Sequence, residues 1–494
     1  MDIEEAKRRA RGGPRLLLAR RMVLLAITFV STITVARLVS PRDYGLAAIS
    51  VAMLSFVQIF RDFGLTNAVL RKGVIDQSEL NMIFWFNVAM TTALSLLLAA
   101  AAPLVGAFYN EPIIGWTMLA SIIGFQIGGV ALQHRALINR ELRFGAIAMI
   151  DVTAQAGGFA VTLILAFVRH DVWALVWGSI AQNLLGAALA ISLSGWRPNR
   201  PARAEALPDL LKFGANSSVY SISVFLSNNA AQLIAGYTLG SALLGQYNRA
   251  QTIFQLPNTN LIQPIAQSIA PLLTRLRADP AEYRAAYLGL VRRLCVFLMP
   301  LSMVLMGLAT PLTRSLLGAR WDAAGQVLTA LAPALAATGV GYAINDIFIT
   351  QNRSRGLRNL GLVELVVRVA AVFIGAQFGI VQTAIGFTLS TIGVIFLRVW
   401  VAGRYGPITT RDQINASLPG VAPALGALLA VAFTRPLVAA LPDAMQVLAI
   451  GSAGVAAAAV AGLTVPMSRA AITDLADTFG LLHYATMFRR RRSA

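Results

Sequence analysis

Apolar runs of ~20 residues recur along nearly the whole chain, each long enough to cross the hydrocarbon of a bilayer as a helix. No other feature narrows the fold so far. With 57% apolar and 13% charged residues and a mean hydropathy of +0.67, 494 residues carry too little polar surface for a soluble globule. In lipid a helix satisfies its own backbone polar groups, so a helical bundle follows. The alternation that marks an outer-membrane barrel strand is missing, which excludes that architecture.

Spans are expected near 16–39, 44–70, 82–108, 112–133, 145–168, 172–194, 213–237, 242–272, 289–312, 323–348, 359–378, 380–402, 415–434 and 444–465. The even number puts both termini on one side. Of 41 Lys and Arg, 31 fall at the span ends on that side and only six at the opposite ends. The positive-inside rule makes the former side the cytoplasm. The net charge of +19 is therefore a mark of topology, and no nucleic-acid partner is expected. A cleaved leader competes for the first span. The compact turn Pro41-Arg42-Asp43-Tyr44-Gly45, with another span at once behind it, favours a retained helix.

Shifting the chain by 200 residues sets Val39 to Gly45 opposite Leu239 to Gly245, each just after the first span of its half. The expected fold is all-α and polytopic, with two six-helix lobes related by a pseudo-two-fold axis and two extra C-terminal helices. Its parts are a basic N-terminus (1–15), an N-lobe (16–194), a linker (195–212), a C-lobe (213–402), helices 13 and 14 (403–465) and a basic amphipathic tail (466–494). Ile472, Leu475, Phe479 and Leu482 in that tail suggest a helix lying on the inner leaflet.

The seventh and eighth spans are unusually polar. Asn228, Asn229 and Gln232 on one, and Gln255 and Asn258 on the other, are candidates for a wet cavity whose amides suit sugar hydroxyls; interhelical bonding is the competing use. Pro257, Pro264 and Pro271 recur at seven-residue spacing, which predicts a bent eighth helix. Arg249 lies inside that span with no acid three or four positions away, so it could meet an anionic substrate or an acid on another helix. Arg61 and Asp62 in the second span point about 100° apart and each needs its own partner or water. Glu364 and Arg368, at i and i+4, read as a structural pair. Asp151 and Asp346 are candidates for a coupling proton or sodium ion. No other cofactor is expected: His134, His170 and His483 match no metal spacing, Cys295 has no partner cysteine, and no lysine follows a phosphate-binding glycine loop.

The segments Ala36-Arg37-Leu38-Val39-Ser40-Pro41-Arg42-Asp43-Tyr44-Gly45-Leu46 and Phe60-Arg61-Asp62-Phe63-Gly64-Leu65 resemble the opening signature of bacterial polysaccharide transporters of the multidrug/oligosaccharidyl-lipid/polysaccharide superfamily. Gly245 to Ala250, Ala270 to Leu276 and Leu316 to Trp321 are similar to later turns and helix ends of that family. The resemblance extends over about residues 15 to 400 and suggests the branch serving exopolysaccharides such as rhizobial succinoglycan. It implies an inner-membrane flippase that moves an undecaprenyl-pyrophosphate-linked oligosaccharide by alternating access, among membrane lipids and beside polymerase and co-polymerase proteins. A drug/cation antiporter and a peptidoglycan-precursor flippase of the same superfamily are the alternatives. A membrane glycosyltransferase or polymerase would need acids on a large external loop, and the external loops here are short. No enzyme activity is expected.

Overall fold

The computed structural model describes residues 3–62, 76–200, 207–341, 344, 347–348, 354–404 and 407–478. Among them the secondary structure is helical, and twelve helices are long and apolar enough to cross a membrane. The first stretch of the chain holds α1 (Ile3–Leu38), α2 (Pro41–Asp62), α3 (Gln77–Phe108), α4 (Pro112–Arg140), α5 (Phe144–Arg169), α6 (Val172–Ser194) and α7 (Leu207–Leu239). α8 (Ser241–Pro257) passes through one π turn, Asn258–Ile262, into α9 (Gln263–Arg275). There follow α10 (Pro280–Leu317), α11 (Asp322–Gly341), α12 (Ser354–Ala376), α13 (Ile380–Ala402), the short α14 (Thr410–Ser417), α15 (Val421–Leu437), α16 (Asp443–Thr464) and α17 (Pro466–Thr478).

Each of the fourteen expected spans is mostly helical over its described residues. The seventh and eighth, on α7 and α8–α9, are the two absent from the twelve; the π turn divides the eighth into helices of 17 and 13 residues, each short of a full crossing. The π turn comes directly after Pro257, the first of the three spaced prolines, whose missing N–H releases a carbonyl one turn back.

Two compact units emerge, Met1–Gly245 and Gln246–Ala494. The first keeps α7, which packs on α2; Phe56 and Phe225 rings lie 5.5 Å apart there. Its core joins α2, α3, α4 and α6 through Ile49, Leu98, Ile114, Met118 and Val176. α5 and α6 approach closely where Gly158 and Gly178 face each other: a Cβ on Gly178 would lie 3.0 Å from the Gly158 carbonyl oxygen. Small residues let backbones meet where lipid supplies no hydrophobic drive between helices. The outer faces carry exposed Phe167, Val168 and Leu184, a surface for lipid.

Local sequence sets the entry to α2. Ser40 is its N-cap, Pro41 follows at the first helical position, and the Asp43 amide donates to Ser40 Oγ at 3.2 Å. Asp43 Oδ1 in turn accepts from the Val172 amide at 3.1 Å, tying the start of α2 to the start of α6.

In the second unit α10 is the central element, packed by α11, α15 and α16. Tyr287, Leu298, Val304 and Ala309 on it are buried, while Phe433 and Leu448 face outward. α17 docks on this unit. Ser468 Oγ donates to the Pro419 carbonyl at 2.7 Å, and a Cβ on Gly462 would lie 2.4 Å from Ile472 Cδ1. Ile472, expected on a lipid-facing stripe, is therefore held against protein, because Gly462 leaves room for it.

Candidate functional site

The first unit encloses a cavity of about 580 Å³ between α1, α2, α4, α5 and α6. Its charged lining residues lie toward the Lys- and Arg-rich ends of these helices. Among the described residues four are charged: Arg20, Arg61, Arg135 and Asp151. Asp151 on α5 accepts from Arg135 Nη2 of α4 at 2.5 Å and also pairs with Arg20 of α1. The Arg61 guanidinium stands 5.1 Å from the centre of the Phe125 ring, and its Nη1 converges with Asn183 Oδ1 on the open side of Gly128. A Cβ there would lie 3.5 Å from each, in ordinary van der Waals contact.

Amides and hydroxyls line the remaining wall, among them Gln58, Gln182, Asn183 and Ser179. Asn183 Nδ2 donates to the Ser179 carbonyl at 2.8 Å, and Gln155 Nε2 donates to Thr28 Oγ1 at 2.6 Å. Three guanidinium groups against one carboxylate make the wall cationic, and in a low-dielectric surround such a site attracts an anion strongly. Planar guanidinium forks suit phosphate oxygens, and the amides suit hydroxyls.

Among the described residues, the other sequence-derived candidates are not part of this cavity's lining. On α7, Asn228 is exposed, Asn229 Nδ2 donates to its own helix at Phe225 O (2.9 Å), and Gln232 is half-buried. In the second unit, Arg249 Nη2 donates to Asn248 Oδ1 at 3.0 Å, and Asn258 Nδ2 donates to Gln255 Oε1 at 3.2 Å beside the π turn. Glu364 and Arg368 pair at 2.9 Å, and the same carboxylate also holds Arg398 of α13. Arg368 lies over the Phe387 ring at 4.7 Å. The side chain of Asp62 and the whole of Asp346 lie outside the described residues.

Sequence reasoning singled out Arg61 and Asp151 but counted Arg20 and Arg135 only as marks of topology. The pairing of Asp151 with bases on two other helices has no signature in spacing, since 16 and 131 residues separate the partners.

Residues 34–326 match a family described as polysaccharide biosynthesis protein. The chain belongs to that family. Among curated relatives it is 23% identical over 375 residues to the lipopolysaccharide biosynthesis protein WzxC of Escherichia coli K12, covering 74% of this chain and 75% of that protein. It is 21% identical over 308 residues to the succinoglycan biosynthesis transport protein ExoT of Rhizobium meliloti, covering 62% of each. The fold is shared with the lipid II flippase MurJ in an inward closed conformation, with a TM-score of 0.71 at 12% identity over 91% of this chain and 98% of that one. The family membership and the shared polytopic fold make this a multi-pass membrane protein of polysaccharide biosynthesis.

Proposed function

We propose that this family member is a flippase that carries an undecaprenyl-diphosphate-linked oligosaccharide from the cytoplasmic to the periplasmic leaflet by alternating access. One observation carries the reading: a single cavity joins three guanidinium groups to a wall of amides and hydroxyls. The diphosphate meets Arg20, Arg61 and Arg135, and the sugars meet Gln58, Gln182 and Asn183. Names of relatives that transport or assemble polysaccharides support the same substrate class. A cationic wall repels organic cations, which disfavours a drug/cation antiporter. A peptidoglycan precursor shares the diphosphate, and the family match disfavours it.

The charge bias of the loops supports the inner membrane with both termini in the cytoplasm. Proton or sodium coupling, and handover to polymerase and co-polymerase proteins, belong to the same reading. The test is leaflet translocation of a fluorescent undecaprenyl-diphospho-oligosaccharide in proteoliposomes holding the purified full chain. Rates equal to protein-free vesicles would reject the proposal.

A further inference from the structure

Among the described residues, the cavity of the first unit is lined by one carboxylate and three guanidinium groups, and that carboxylate is shared by two of them. Asp151, 13% exposed at its side chain, joins α5 to Arg20 on α1 and Arg135 on α4. Its two partners come from helices that no local sequence constraint holds together. With Asp151 ionised the charged lining residues amount to a formal +2, and without it to +3. A diphosphate esterified at both ends carries about two negative charges, one per phosphate, so the ionised wall and such a ligand neutralise each other.

We propose that Asp151 is an exchangeable counter-anion, an inference that rests on the cavity being the diphosphate site. In the empty cavity it holds Arg20 and Arg135, because unpaired guanidinium groups in a low-dielectric site are costly. As substrate enters, the diphosphate takes over their hydrogen bonds and Asp151 is released from them. As substrate leaves, Asp151 recaptures both. The competition keeps affinity low enough for release, which any translocating site requires, since a ligand bound too tightly in one state cannot pass to the next. Asp151 is thus a positioning residue that sets turnover through the two arginines.

The test uses full-length protein in nanodiscs, with binding of a short-prenyl diphospho-sugar measured by calorimetry and translocation measured in proteoliposomes. Asp151→Asn is expected to bind about tenfold tighter and to turn over more slowly at saturating substrate, because the competitor is gone while the three cations remain. Asp151→Glu keeps a competing carboxylate and should bind more weakly than Asp151→Asn. Arg135→Gln with Asp151→Asn restores the formal +2 and should return affinity toward wild type. Should Asp151→Asn alone fail to accumulate, the comparison is Arg135→Gln with and without Asp151→Asn, where removal of the carboxylate must again tighten binding about tenfold. Unchanged or weaker binding on removing the carboxylate from folded protein overturns the exchange while leaving the cavity's function intact. Wild-type protein that binds no diphospho-sugar overturns the reading of the cavity itself, and this inference with it.

Discussion

Gly45 and Gly245 face each other where the starts of α2 and α8 meet. A Cβ on Gly45 would lie 1.8 Å from the Ser241 carbonyl oxygen, and one on Gly245 would lie 1.7 Å from that of Pro41. The two positions that the 200-residue shift sets opposite each other in sequence are thus in reciprocal contact in space. Glu111 fastens the same place, accepting two bonds of 2.9 Å from Arg42 Nη2 and one of 3.2 Å from Ser241 Oγ. Because the obstructing atoms are backbone, no rotamer change can relieve a methyl group. Gly45→Ala or Gly245→Ala should force the helix starts apart at a cost of about 1–3 kcal/mol. Leu244 is fully buried there, so a cysteine at 244 should react with a membrane-impermeant thiol reagent faster in the alanine variants. Native Cys295 is buried and adds little background. Equal labelling rates would refute the contact.

Arg61→Ala should weaken diphospho-sugar binding about 10- to 100-fold, the range for losing a charge-assisted hydrogen bond, with protein level unchanged. Lys should restore only part of the affinity, since it keeps the charge and loses the planar fork. Arg249→Ala, in the second unit and outside the cavity lining, should leave diphospho-sugar binding near wild type, and a loss as large as that of Arg61→Ala would refute the assignment of the anion site to the first unit.

Glu364→Gln should damage stability more than either arginine substitution beside it. The carboxylate serves Arg368 and Arg398, whose side chains are 5% and 12% exposed, so neutralising it leaves two buried cations facing each other. Breaking a buried pair in this manner costs about 3–5 kcal/mol. Thermal unfolding in detergent should show a large drop for Glu364→Gln and a smaller one for Arg398→Gln. Equal midpoints would exclude a structural role.

Truncation should separate two parts of the C-terminal tail. Removing 479–494 spares the Ser468 hydrogen bond and the seat of Ile472 on Gly462, so abundance and rate per molecule should hold. Removal of 466–494 strips both and should lower abundance sharply. Similar membrane levels for the two truncations would show that α17 contributes nothing to the unit it packs on.

Reporter fusions at Arg200 and the C-terminus should report cytoplasm, and fusions at Asn110, Arg169 and Asp443 should report periplasm. The expectation comes from the uneven distribution of Lys and Arg among the loops. A periplasmic C-terminus would require an odd number of crossings and defeat the fourteen-span topology.

The sequence by itself determined the solvent, the helix positions and the entry to α2. Apolar runs can only become helices in lipid, and Ser40-Pro41-Arg42-Asp43 is a local N-cap that needs no distant partner. An irregularity at Pro257 was legible for the same reason: a missing N–H acts within one turn. Only the tertiary structure decided which charges work together. Arg20 and Arg135 look like ordinary inner-end arginines until α1 and α4 bring them to Asp151, and Arg398 looks like a lone cation until α13 packs on α12 and shares Glu364. Coulomb attraction falls with distance in space, not in sequence, so a cluster drawn from three helices leaves no periodic trace along the chain.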